Sequence, residues 1–92
     1  MITLPGKTEQ ALKDAEAIAR SRLAKFPHDG VALHTLEQLG LIGAAVAGDA
    51  SKLQRLREEF DLGLMAAKAL GADEDEPFAN CLCEIDAFVR AL

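Results

Sequence analysis

An all-α fold, a single-domain antiparallel bundle of four helices, is what this 92-residue chain predicts. Three observations carry that expectation. Half of the residues are hydrophobic, mostly Ala and Leu, with no Trp or Tyr and few β-branched side chains, a composition that favours helices over strands. Apolar residues recur at three- and four-residue intervals in four separate stretches, which places each set on one helix face. The breakers between stretches are short, so consecutive helices fold back on one another. The expected helices span residues 8–26, 31–47, 51–70 and 76–91.

The first begins after Pro5 and Gly6, with Thr8 as its expected N-cap. Ala11, Leu12, Ala15, Ile18, Ala19, Leu23 and Phe26 form its stripe, and Phe26 is expected to close over the core before Pro27 ends the run. His28, Asp29 and Gly30 make a turn in which Asp29 can cap the second helix. That helix changes character along its length. Its first half places Ala32, Leu36 and Leu39 inward and His34, Thr35, Glu37 and Gln38 outward, whereas its second half, GLIGAAVA, has no polar side chain. Gly40, Gly43, Ala44 and Ala47 offer a small-residue face that Leu41, Ile42 and Ala45 cannot all share. Either this end is buried all round, or Leu41, Ile42 and Ala45 meet a second subunit or a partner.

The third stretch, SKLQRLREEFDLGLMAAKAL, reads as one rod of about 30 Å. Leu53, Leu56, Phe60, Gly63, Leu64 and Ala67 make its stripe, and Ser51 with Gln54 has the form of a capping box. Arg55 with Glu59, and Arg57 with Asp61, are spaced to pair along it. Gly63 inside this helix points to a close helix crossing in preference to a partner's backbone approach. After Gly71, the expected C-cap of this helix, come Asp73, Glu74, Asp75 and Glu76, and then Pro77, which suits a helix's first turn. Phe78, Cys81, Leu82, Ile85, Phe88, Val89 and Leu92 repeat at helical spacing in the fourth stretch.

Formal net charge is −5, and it is unevenly placed: residues 1–48 carry five acids and five bases, residues 49–92 ten acids and five bases. An acidic half is unsuited to nucleic acid and to anionic membrane surfaces, and suited to a basic protein surface. The N-terminal residues lack the basic-then-apolar pattern of a secretory signal, and the longest nearly apolar run, 39–48, is too short to span a bilayer. The expected location is the cytoplasm.

Motifs for chemistry are not found. Cys81 and Cys83 lie two apart, about 200° around a helix, and so cannot grip one ion together. His28 and His34 have no thiol or carboxylate at ligand spacing, and there is no phosphate loop and no nucleophile elbow. The expectation is a protein that is not an enzyme, with no catalytic residues, no metal and no cofactor. The acids Asp73 to Glu76 read either as a solvated loop with a helix-start charge bias or, together with Glu58, Glu59 and Asp61, as a negative surface for a basic cleft.

Four segments in order, RLAKFP (22–27), LEQL (36–39), LGLMAAKAL (62–70) and DEPFANCLCEIDAF (75–88), resemble the small immunity proteins of bacterial type VI secretion. The matching positions are Arg22, Lys25, Phe26, Pro27, Gln38, Gly63, Ala66 and Lys68, of which Phe26, Pro27, Gly63 and Ala66 read as architectural. GLIGAAVA is more apolar than the family pattern, and Ile85 and Asp86 stand where it has aromatic residues. The resemblance implies a non-enzymatic inhibitor that binds a cognate toxin domain, an NAD(P)-glycohydrolase in the nearest case, and covers its catalytic cleft. The expected toxin-binding surface is Glu58, Glu59, Asp61, Asp73, Glu74, Asp75 and Glu76. The alternative is a homodimeric helical adaptor joined through Leu41, Ile42 and Ala45.

Overall fold

Five α-helices and one short 3-10 turn make up residues 3–92, which the computed structural model describes. They are α1 (Gly6–Lys25), α2 (Gly30–Val46), α3 (Ala50–Glu59), α4 (Leu62–Ala69) and α5 (Glu76–Arg90), with the 3-10 turn Asp73–Asp75 leading into α5. The protein is all-α, as its composition and periodicity predict, and no strand occurs among the described residues. Its radius of gyration, 12.6 Å, is close to the ~12 Å expected of one compact domain of this length. No described helix is long and apolar enough to cross a membrane.

Side-chain pairs fix the directions of the helices. Lys7 at the start of α1 reaches Glu84 of α5 at 3.6 Å, and Arg22 near the end of α1 reaches Asp75 just before α5 at 3.2 Å. Those two helices are therefore antiparallel. Arg55 stands 3.9 Å from Glu37, and Asp61 stands 2.6 Å from His34, so the chain from α3 onward runs back along α2. Ala11, Ala15 and Ala19 give α1 a flat buried strip, on which α2 and α5 both pack. The largest side chains closed off from water are Phe78, Ile42, Leu56, Leu62, Leu82 and Ile85. The α5 stripe lies inward as its spacing predicts.

The third rod is not continuous. Phe60, at φ −72° and ψ 126°, is extended, and Asp61 at φ −146° starts a new helix. The reason lies in the spacing of the apolar residues. Leu56 and Leu62 are both fully buried, yet six positions of an unbroken helix would point them about 120° apart. The break rotates the second half so that Leu62, Ala66 and Leu70 face the core. Leu64, expected inside, is 53% exposed, and Ala67 is exposed as well.

Helix starts also differ from expectation. Helix α1 begins two residues early, with the Glu9 N–H donating to Pro5 O, and Thr8 is buried in its first turn. Helix α3 is capped by Asp49, whose carboxylate accepts from the Ser51 and Lys52 N–H groups, both at 3.1 Å, and from the Ser51 hydroxyl. Ser51 is thus a donor to the cap, and Gln54 donates forward to Glu58. The Ser51 hydroxyl and the Lys52 N–H hold the Asp49 carboxyl below its ordinary range. Asp29 caps α2 as expected, accepting from the Ala32 N–H at 3.1 Å.

In α2 the inward face is Ala32, Thr35, Gln38, Leu41, Ile42 and Ala45, all buried. Thr35 satisfies its hydroxyl on Val31 O at 2.8 Å, which lets it occupy a core position expected to be outward. Leu41, Ile42 and Ala45 are 6%, 0% and 2% exposed, so the expected dimer or partner contact at these three residues is corrected: they are core. In the apolar second half of α2, Gly40 and Gly43 face outward with Ala44 half-buried, and Ala47 just past the helix is exposed as well. A Cβ at Gly40 or Gly43 would meet nothing within 4 Å.

Candidate interaction surface

The acidic residues singled out in the sequence fall into two groups with different surroundings. Glu58, Glu59 and Asp61 cluster at the α3–α4 break. Each is exposed, and each is engaged within the chain: Glu58 accepts from Gln54 at 3.2 Å, Glu59 from Arg55 at 2.6 Å, and Asp61 meets His34 Nε2 at 2.6 Å. The break takes Asp61 away from the helical register it would share with Arg57, so that expected pair gives way to one with α2. Of these three, Glu59 is paired with a cation within its own helix, Glu58 is bonded to a neutral amide, and Asp61 alone ties its segment to another helix, α2.

Asp73, Glu74, Asp75 and Glu76 occupy the 3-10 turn and the first residue of α5. Negative charge there favours the amino end of α5, and Pro77 sits in its first turn, where no backbone donor is needed. Asp75 is half-buried and bound to Arg22. Asp73, Glu74 and Glu76 are exposed and make no ion pair with another described residue. The sequence-derived surface therefore resolves into three free carboxylates and four that are occupied by neighbours.

Arg22 is the organising residue of this end, and local sequence did not reveal that role. Its Nε donates to Asp29 Oδ2 at 2.8 Å, its Nη1 donates to Asp75 Oδ1 at 3.2 Å, and its guanidinium stands 5.4 Å from the centroid of the Phe78 ring. One side chain thus ties the end of α1 to the α1–α2 turn and to the start of α5. Burial raises the Asp29 carboxyl, but the Arg22 hydrogen bond, the Ala32 N–H, the Arg22 charge and the Val31 N–H outweigh it and leave the group below its ordinary value.

The same turn carries Phe26, which does not close over the core as expected. It is 65% exposed. The reason is the backbone: the Phe26 N–H bonds to Arg22 O at 2.8 Å and the Asp29 N–H to Phe26 O at 3.0 Å, which turns the chain before the ring can fold inward. Arg22, which shares a cavity with Phe26, lies over the ring of Phe78. A shallow cavity of about 400 Å³ lies between Arg22, Lys25, Phe26, Asp29, Glu74 and Asp75. Phe26 and the acidic turn thus share one end of the molecule.

Of the other residues carried by the family resemblance, Gln38 is 3% exposed, with its Oε1 unpaired, and so faces the interior. Gly63 lies against Asp86 of α5, in keeping with a close helix crossing. Cys81 is half-buried; burial, and then the charge of Asp14, raises its thiol, while Cys83 is exposed on another side of α5. Among the described residues no group of three or more His, Cys, Asp or Glu side chains stands where it could hold a metal ion. Comparison with known proteins finds no matching family model, no matching curated protein and no matching solved structure.

Proposed function

We propose that this chain is an immunity protein: it binds a cognate secreted toxin domain in the cytoplasm of the producing cell and blocks that domain's active site without catalysing a reaction itself. The observation that carries the reading is the display of Asp73, Glu74 and Glu76 on a turn fixed to the bundle by Arg22, exposed and without an ion-pair partner among the described residues. Such carboxylates repel phosphate backbones and anionic lipid, and they attract a cleft lined with Lys or Arg, one of the ways in which a site holds a phosphate-bearing dinucleotide. The order of RLAKFP, LEQL, LGLMAAKAL and DEPFANCLCEIDAF along the chain supports the same reading and extends it to an NAD(P)-glycohydrolase as the toxin. A dimeric adaptor joined through Leu41, Ile42 and Ala45 is not retained, because those side chains are spent inside the monomer.

Co-expression with any toxin-like domain found to be encoded beside this chain's gene tests the reading. Growth should be restored by the chain, and a catalytically inactive form of that domain should bind it in titration calorimetry. Replacing Asp73, Glu74 and Glu76 together by Asn, Gln and Gln should slow association and flatten its salt dependence. Absence of a complex, or absence of rescue by the wild-type chain, overturns the proposal.

A further inference from the structure

We propose that Phe26 is an anchor for a protein partner, entering an apolar pocket on that partner whose rim is set with Lys or Arg facing Asp73, Glu74 and Glu76. The inference deepens the binding reading above and rests on it. Phe26 is the most exposed large hydrophobic side chain in the described structure, at 65%. Its backbone is nevertheless fixed on both sides, by the Phe26 N–H to Arg22 O bond and by the Asp29 N–H to Phe26 O bond. Asp29 is in turn fixed by Arg22 Nε and by the Ala32 N–H, and Arg22 by Asp75. An aromatic ring on a turn that is already ordered loses little conformational freedom on docking, and such rings dominate binding energy where they fill a pocket.

Charge decides what the pocket belongs to. Glu74 and Asp75 line the same cavity as Phe26, and Asp73 and Glu76 flank them in the chain. Lys25 shares that cavity, Arg22 is engaged by two carboxylates, and His28 lies beyond Pro27. The outward balance at this end is negative, so a lipid surface with anionic headgroups and a nucleic acid are both repelled. A second copy docking two-fold through Phe26 would set one acidic turn against the other. A basic-rimmed apolar pocket on a different protein meets both the ring and the charge.

Two probes test the surface. The first is an amphipathic helical peptide of Leu and Lys, compared with its Leu and Glu counterpart, titrated into the labelled chain and followed through backbone amide shifts. The Lys peptide should move the amides of 24–29 and 73–76 and the Glu peptide should not. Phe26→Ser should weaken the Lys peptide about tenfold or more, as expected for a central anchor, while leaving the melting curve in place because the ring lies outside the core. The second probe is the inactive toxin domain, titrated against wild type and Phe26→Ser. Shifts elsewhere, an equal response to the Glu peptide, unchanged affinity of Phe26→Ser for the Lys peptide, or self-association that Phe26→Ser abolishes would each overturn the anchor. Full-strength toxin binding by Phe26→Ser would sink the anchor and leave the immunity reading. If the toxin domain ignores both forms while the peptide results hold, the immunity reading falls and the surface stands.

Discussion

Gly63 of α4 lies directly against the carboxylate of Asp86 on α5: a Cβ on Gly63 would stand 2.5 Å from Asp86 Cγ and 2.7 and 2.8 Å from its two oxygens. Asp86 cannot swing aside cheaply. Its side chain is only 17% exposed, Oδ2 accepts from Arg90 Nε at 2.7 Å, and Oδ1 is buried. Gly63→Ala gains up to about 1 kcal/mol in helix propensity and meets an overpacking penalty of about 1–3 kcal/mol. The expected outcome in urea denaturation is net destabilisation, relieved in the double variant Gly63→Ala with Asp86→Ala.

Gly40 and Gly43 of α2 should respond in the opposite sense. A Cβ at either meets nothing within 4 Å, and both are helical with ordinary φ. Each change to Ala should stabilise by about 0.5–1 kcal/mol, through helix propensity and a less flexible unfolded chain. For a domain of this size that is a rise of about 2–8 °C in Tm. A thermal melt that instead falls would mean that this face packs more tightly than open space allows.

Removing the Arg22 side chain should loosen one whole end of the bundle. Arg22 is 27% exposed, Asp29 11% and Asp75 25%, so both ion pairs are shielded but not fully dry. Arg22→Ala strands two carboxylates and exposes the face of Phe78. A loss of about 2 kcal/mol is expected, between the values for an exposed pair and a buried one. Arg22→Lys should recover only a minor part, because an ammonium cannot serve Asp29 and Asp75 in the fixed geometry of a guanidinium. Hydrogen exchange should report the damage as faster exchange at the start of α2 and α5.

The helical class, the cap at Asp29 and the inward face of α5 could all be read from residues three and four apart, because helical packing is periodic. The break at Phe60–Asp61 could not. A single stripe through Leu53, Leu56, Phe60, Gly63 and Ala67 is as regular as the two rotated stripes that exist, and only the joint demands of Leu56 and Leu62 for one core separate them. The tie from Arg22 to Asp75 spans 53 residues, so no local pattern announces it. The exposure of Phe26 was equally hidden, because it follows from the turn bonds Phe26 N–H to Arg22 O and Asp29 N–H to Phe26 O, which the apolar spacing does not announce. Acidic residues were visible as such, but which of them keep a free charge depends on contacts such as Asp61 with His34.

Acid should weaken the fold through Asp29 and Asp49. The folded-state pKa of Asp29 lies below its ordinary value, because the Arg22 and backbone hydrogen bonds outweigh the opposing effect of burial. A carboxylate of this kind contributes stability that is complete above its unfolded pKa, about 3.9, and that disappears as pH falls through the lower folded value. Below about pH 4 the unfolded chain binds the proton more readily than the folded one, so protonation draws the equilibrium toward unfolding. Asp49 is shifted in the same direction by Ser51 and Lys52 and adds to the same acid limb. Asp29→Asn should therefore be less stable than wild type at neutral pH and should close that gap as pH is lowered below about 4. Urea midpoints measured from pH 7 to pH 2.5 check this, and a gap that stays constant across that range would mean that Asp29 is not held in its charged form by Arg22.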